Sequence, residues 1–182
     1  VADEFTSLFR QRFRAADFDT LVDCPLEIAD FREISFSVNG VPHRVVISGP
    51  VAVPLEKIRD DFRKIVRETT AVFGSIPYRA YTFLVRSLPG GGGGGLEHMN
   101  STLMDVSTLG LVSDDGYRRF LGLAAHEFFH TWLVKRIRPR SLGPFNYTRE
   151  NHTRMLWAME GITSYYTPLI LSRAGLITRK GA

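Results

Sequence analysis

Residues 126–130 read His126-Glu127-Phe128-Phe129-His130. Two histidines four apart stand on one face of a helix, about one turn from each other. Neutral imidazole suits divalent zinc, and two such ligands leave room for a third protein ligand and a water. Glu127 is displaced around the helix, where it can take a proton from that water instead of binding the ion. The spacing therefore points to hydrolysis assisted by one zinc ion. The plainer alternative is a packed helix whose paired histidines are satisfied internally, since Phe128 and Phe129 give it a buried side.

A zinc ion held this way needs a third ligand, His, Glu or Asp, on a following element. The downstream candidates are Glu150, His152 and Glu160. Glu160 is embedded in the apolar run Leu156 to Tyr166, where a carboxylate is costly unless a cation neutralises it. Zinc would do so, and so would Arg154 or Arg136. Glu150 and His152 sit in a polar opening turn, where capping or solvation is expected of them.

Several elements must bring these groups together. Phe5, Leu8, Phe9 and Phe13 give a short helical spacing over residues 3–14. Residues 27–38 alternate, Asn39-Gly40 marks a tight hairpin, and residues 43–47 return, with His43 expected to face outward. Leu55, Ile58, Phe62, Ile65, Val66, Val72 and Phe73 form the apolar stripe of a helix from Pro54 to Phe73, stopped by Gly74. A strand is expected over residues 78–88, and an extended segment over 96–108. Asp114 or Asp115 is expected to cap a long helix running through the zinc motif to about Ile137. A loop with Gly143 and Pro144 leads to a last helix near 148–173, ended by Gly175. That order is α+β, with a small mixed or antiparallel sheet followed by the two ligand-bearing helices.

The 182 residues, 44% of them hydrophobic, suffice for a substantial core. We expect one unit, with residues 1–53 as a sheet-rich lead-in and 54–182 as the core that carries the chemistry. The net charge of +4 is modest. It arises in part from Arg10, Arg12 and Arg14. The basic run 135–140 lacks an aromatic stacking platform, so no nucleic-acid partner is expected; it reads better as the close of the motif helix. A single cysteine, Cys24, excludes an internal disulfide and a thiolate zinc site. No apolar run reaches membrane-spanning length. The chain begins at Val1 and reads as an excised or processed piece of a soluble protein, cytoplasmic or periplasmic, with no targeting segment in view.

HEFFH, then TWLVKRIRP and LWAMEGITSYY, closely resembles the glycyl aminopeptidase family of zinc metallopeptidases. GGLEH at Gly94 to His98 and LVDCP at Leu21 to Pro25 extend the likeness, which spans about residues 16–177. The resemblance implies a gluzincin, with a thermolysin-like catalytic core whose helical lobe is truncated here. It implies His126, His130 and Glu160 as zinc ligands, and Glu127 as general base. In related aminopeptidases a Gly-x-Met-Glu-Asn segment forms an edge strand whose glycines let substrate backbone approach and whose glutamate binds the free amino terminus. Gly94, Gly95 and Glu97 would fill those roles, with His98 in place of the asparagine. Cleavage after an N-terminal glycine or alanine, and an accompanying PDZ module, are implied by the family alone. The oxyanion tyrosine of related enzymes is expected beyond the chain's end. A zinc endopeptidase and a non-catalytic, zinc-stabilised interaction module remain as alternatives, and the partner implied is a peptide or protein substrate.

Overall fold

The computed structural model describes residues 13–178. The helix expected over 3–14 lies outside them, save for Phe13 and Arg14, which are irregular. The described elements are a short helix α1 (Phe18–Val22), strands β1 (Phe31–Val38) and β2 (Val41–Ser48), helix α2 (Leu55–Phe73), strands β3 (Tyr81–Leu88), β4 (Gly93–Glu97) and β5 (Ser101–Ser107), then helices α3 (Asp114–Phe129) and α4 (Leu156–Arg173). Residues 27–30, expected to begin the first strand, are irregular.

The five strands form one mixed sheet in the order β1-β2-β3-β5-β4. β1 and β2 are antiparallel, and they meet through Asn39 and Gly40, both at positive φ as a two-residue hairpin turn requires. β2, β3 and β5 run parallel, α2 making the first crossover. β4 closes the edge, antiparallel to β5. The mixed, α+β character thus follows the expectation.

One face of the sheet is apolar: Val45, Phe83, Val85 and Met104 are buried, and β3 alternates strictly between buried and half-buried residues. α2 and α3 cover that face. Phe62 of α2 meets Phe83 edge-on, and Phe128 of α3 meets Tyr81 in the same way. The other face carries polar pairs, including a bidentate bond from Arg86 to its register partner Asp105, 2.7 Å on each arm.

His43 departs from its expected outward position. It is fully buried, stacks on Phe36, and bonds through its two ring nitrogens to the Val41 carbonyl and the Tyr78 hydroxyl, 2.9 Å each. Its neighbours Val45 and Ile47 share its face, so the phase of β2 buries the histidine, and Val46 on the opposite face is buried too. No helix among the described residues is long and apolar enough to cross a membrane.

Candidate metal centre

α3 starts at Ser113, whose hydroxyl accepts from the Gly116 amide. Asp114 and Asp115, the residues expected to cap it, lie in the first turn, where carboxylates still complement the helix dipole. The helix was expected to continue to Ile137 but ends at Phe129, with His130 as its cap. The cause is local. His130 donates from Nδ1 to the Leu133 carbonyl at 2.8 Å, which needs the chain to fold back immediately after the ligand. That bond also leaves Nε2 as the lone-pair nitrogen, and Nε2 is the atom aimed at the other candidate ligands.

The basic run is therefore not a helix end. Arg136 donates to the carbonyls of Thr131, Met99 and Pro77, tying together the segments before β3, between β4 and β5, and after α3. Lys135 pairs with Asp23 of the Leu21–Pro25 motif, and Asp23 also accepts from the Met99 amide at 2.7 Å. Burial would raise the Asp23 carboxyl, but bonds from His98, Lys135 and the Met99 amide outweigh it and hold the group down at about 2.

α4 begins at Leu156, later than the expected 148, because Asn146, Thr148 and Asn151 bond to one another and to nearby backbone in a polar turn. Glu150 and His152 pair with each other in solvent, away from the centre. One turn into α4, Glu160 faces α3. Its Oε2 lies 3.2 Å from His126 Nε2 and 3.6 Å from His130 Nε2, while the two imidazole nitrogens are 3.1 Å apart. One ligand atom from each of the three lies within 4.8 Å of those of the other two. Neither Arg154 nor Arg136 pairs with Glu160.

Glu160 is 48% exposed, so the apolar run around it does not bury its carboxylate, contrary to the reasoning that singled it out. The exposed side of α4 also carries Trp157 and Tyr165, whereas Ile170 and Leu171 are buried. Tyr166 stacks on Phe129 and is occupied in packing.

The donor set fits a zinc ion. Tetrahedral ligands at about 2.0–2.1 Å from zinc stand roughly 3.3 Å apart, near the separations found here. Electrostatics agree. Burial first, then the charges of Glu97 and Glu160, push the Glu127 carboxyl up to about 8. A dication among these carboxylates offsets that repulsion. His126 is lowered by burial and by His130, which favours the neutral ring that a metal needs.

Glu127 is 5% exposed and sits against β4. A Cβ built on Gly95 would stand 2.4 Å from Glu127 Cγ and 2.5 Å from Cδ, so the strand backbone touches the carboxylate arm directly. Glu97 ends the same strand, half-buried. Gly92 to Gly95, His126 and Glu127 line a cleft of about 730 Å³ between β4, α3 and α4. Glu97, His98 and Met99 line a second one, about 780 Å³, shared with Asp23, Lys135 and Arg136. The structure thus gathers all seven candidate site residues around one helix end. Leu133, Thr163 and Asp23 carried no such signal: the first acts through its carbonyl, and Thr163 Oγ1 lies 3.4 Å from His130 Nδ1 across 33 residues of chain.

The model of the M61 glycyl aminopeptidase family matches residues 119–182, the segment that holds both histidines, Glu127 and Glu160. No curated protein matches the chain. A solved aminopeptidase N family protein from Idiomarina loihiensis superposes with a TM-score of 0.88 at 36% identity over 93% of this chain. The chain spans 30% of that relative's length. On the matched segment, the shared fold and the residues converging on it, the chain is similar to the M61 glycyl aminopeptidase family.

Proposed function

We propose that this chain is the catalytic core of a zinc aminopeptidase of the gluzincin type, with a thermolysin-like arrangement of sheet, motif helix and third-ligand helix. His126 Nε2, His130 Nε2 and Glu160 Oε2 hold the ion. When bound, zinc polarises a scissile carbonyl as a Lewis acid and acidifies a water. Glu127 holds the proton taken from that water on a carboxylate oxygen and passes it to the leaving amine. Its burial keeps it from bulk water and from competing bonds. The Leu133 carbonyl fixes the tautomer of His130.

Glu97 anchors the substrate's terminal ammonium, and Gly94 and Gly95 let the substrate backbone approach as a strand on the free edge of β4. Glycine or alanine at the cleaved position follows from the family reading. The observation that carries the proposal is the convergence of three ligand atoms beside a buried carboxylate.

Two substitutions in the full-length protein test it. Glu127→Gln should abolish peptide cleavage while one zinc per chain is retained. Glu97→Gln should raise KM for peptides with a free amino terminus and leave N-acetylated peptides uncleaved. Cleavage of internal bonds that is indifferent to Glu97→Gln would make the protein an endopeptidase. Zinc retained with no cleavage of any peptide by the unsubstituted protein would leave a structural site.

A further inference from the structure

The cleft that starts at the metal centre does not end there. Its floor is one face of α3: Gly116, Arg119, Phe120, Leu123 and His126. These positions recur at three and four residues, as one helical face requires. One wall is the backbone of Gly92 to Gly95, the other Ser164 and Thr167 of α4. Gly122 on the floor meets nothing within 4 Å of a built Cβ, so the channel is open above it.

Away from the centre the lining residues include two charged ones, Asp105 and Arg119. The carboxylate of Asp105 lies on the sheet face away from α3 and is taken up by the bidentate bond from Arg86, 2.7 Å on each arm. Arg119 is exposed, and among the described residues nothing pairs with it. Its neighbour Arg118 pairs with Asp115 and does not line the cleft. A guanidinium without a partner at the far end of an open cleft is a fork for a carboxylate.

We infer that Arg119 binds the C-terminal carboxylate of short peptides, so that the site takes oligopeptides of about four residues. The inference rests on the aminopeptidase reading above, which sets the direction. An ammonium at Glu97 and a cleaved bond at Gly95 and Glu127 send the rest of the chain past Gly94, Gly93 and Gly92. That path is antiparallel to β4, the sense in which β4 already pairs with β5. Arg119 is seven residues before His126, or about 10 Å along the helix axis. An extended peptide covers that span in about three residues beyond the cleaved bond. One residue before the bond and three after it give a tetrapeptide whose carboxylate meets the guanidinium.

The test uses alanine peptides of three to six residues, each as the free acid and as the C-terminal amide. Binding to the zinc-loaded Glu127→Gln protein is measured by calorimetry, and cleavage by the unsubstituted protein is measured alongside. The free acid should bind about fivefold to tenfold more tightly than the amide, most strongly at four residues. Arg119→Gln should remove that difference by raising KM for the acids with kcat unchanged, and Arg118→Gln should leave it intact. Equal binding of acid and amide at every length overturns the inference, as does a preference that survives Arg119→Gln. Failure of the aminopeptidase reading alone has a different signature: the acid preference persists in the binding arm while no peptide is cut.

Discussion

The backbone of Gly95 lies directly against the side chain of Glu127. The glycine exists there because a methyl group would overlap the carboxylate arm, 2.4 Å from Cγ. Gly95→Ala should therefore turn Glu127 away from its working position while leaving the fold intact. A displacement of about 1 Å in such a group lowers kcat by roughly a hundredfold. The expected result is that loss with zinc content and Tm close to unsubstituted values; a variant with unchanged kcat would remove the contact from the mechanism. His43 shows a residue with the reverse character, chemically able but structurally occupied. Burial holds its imidazole down at about 4 although the Val41 carbonyl favours the proton. Because the folded value lies below the usual 6.5, the unfolded chain binds the extra proton, and stability falls as pH drops from about 6.5 through 4. This group accounts for at most about 3 kcal/mol of that fall. His43→Gln keeps a polar partner for Tyr78 without titrating, so its urea midpoint should fall less between pH 7 and pH 4. An unaltered slope would place the acid sensitivity elsewhere.

At the scale of elements, legibility in the sequence tracked how local the deciding forces are. α2 was readable at both ends because its stripe, from Leu55 to Phe73, is one amphipathic face. The hairpin was readable because Asn39-Gly40 favours one turn geometry. The end of α3 was not. Trp132 to Lys135 has nothing against helix in its composition, and the stop comes from His130 reaching the Leu133 carbonyl and Arg136 reaching three carbonyls far away in sequence. Glu160 was singled out on an expected burial that the fold does not impose, yet its register on α4 brings it to the histidines. The phase of β2 was unreadable for the same reason: alternation is local, but which face meets α3 is settled by packing. Arg136 then makes a prediction. Its guanidinium is the common donor for loops before β3, after β4 and after α3, so Arg136→Gln leaves carbonyls without a charged partner. A loss of about 1.5–3 kcal/mol follows. Thermal unfolding should drop by several degrees, and amide exchange at residues 131–137 should rise first; exchange rising equally over the whole sheet would show that the contact is not local.

Across the whole molecule, the two ligand-bearing helices belong to differently held parts. α3 lies on the sheet, its Phe128 among Tyr81 and Phe83, and is fixed whether or not a cation is present. α4 packs on the core through Ala158, Met159, Thr163, Ile170 and Leu171, with Tyr166 on Phe129, while its first turns leave Leu156, Trp157 and Ile162 to solvent. An ion held by His126, His130 and Glu160 would thus crosslink α3 to the more exposed first turns of α4. Binding to the folded chain alone, at a hundredfold excess over Kd, stabilises by about 2.7 kcal/mol. For a chain of this size that is roughly 5–10 °C in Tm. Removing zinc with a chelator should lower Tm by that amount and accelerate amide exchange in residues 156–163, with the strands β2 and β3 little affected. Glu160→Gln should abolish the zinc-dependent part of both effects, because it takes away the only ligand on α4. A shift that persists in Glu160→Gln would mean that the ion stabilises α3 alone, and the two helices would then need another explanation for facing each other across three converging ligand atoms.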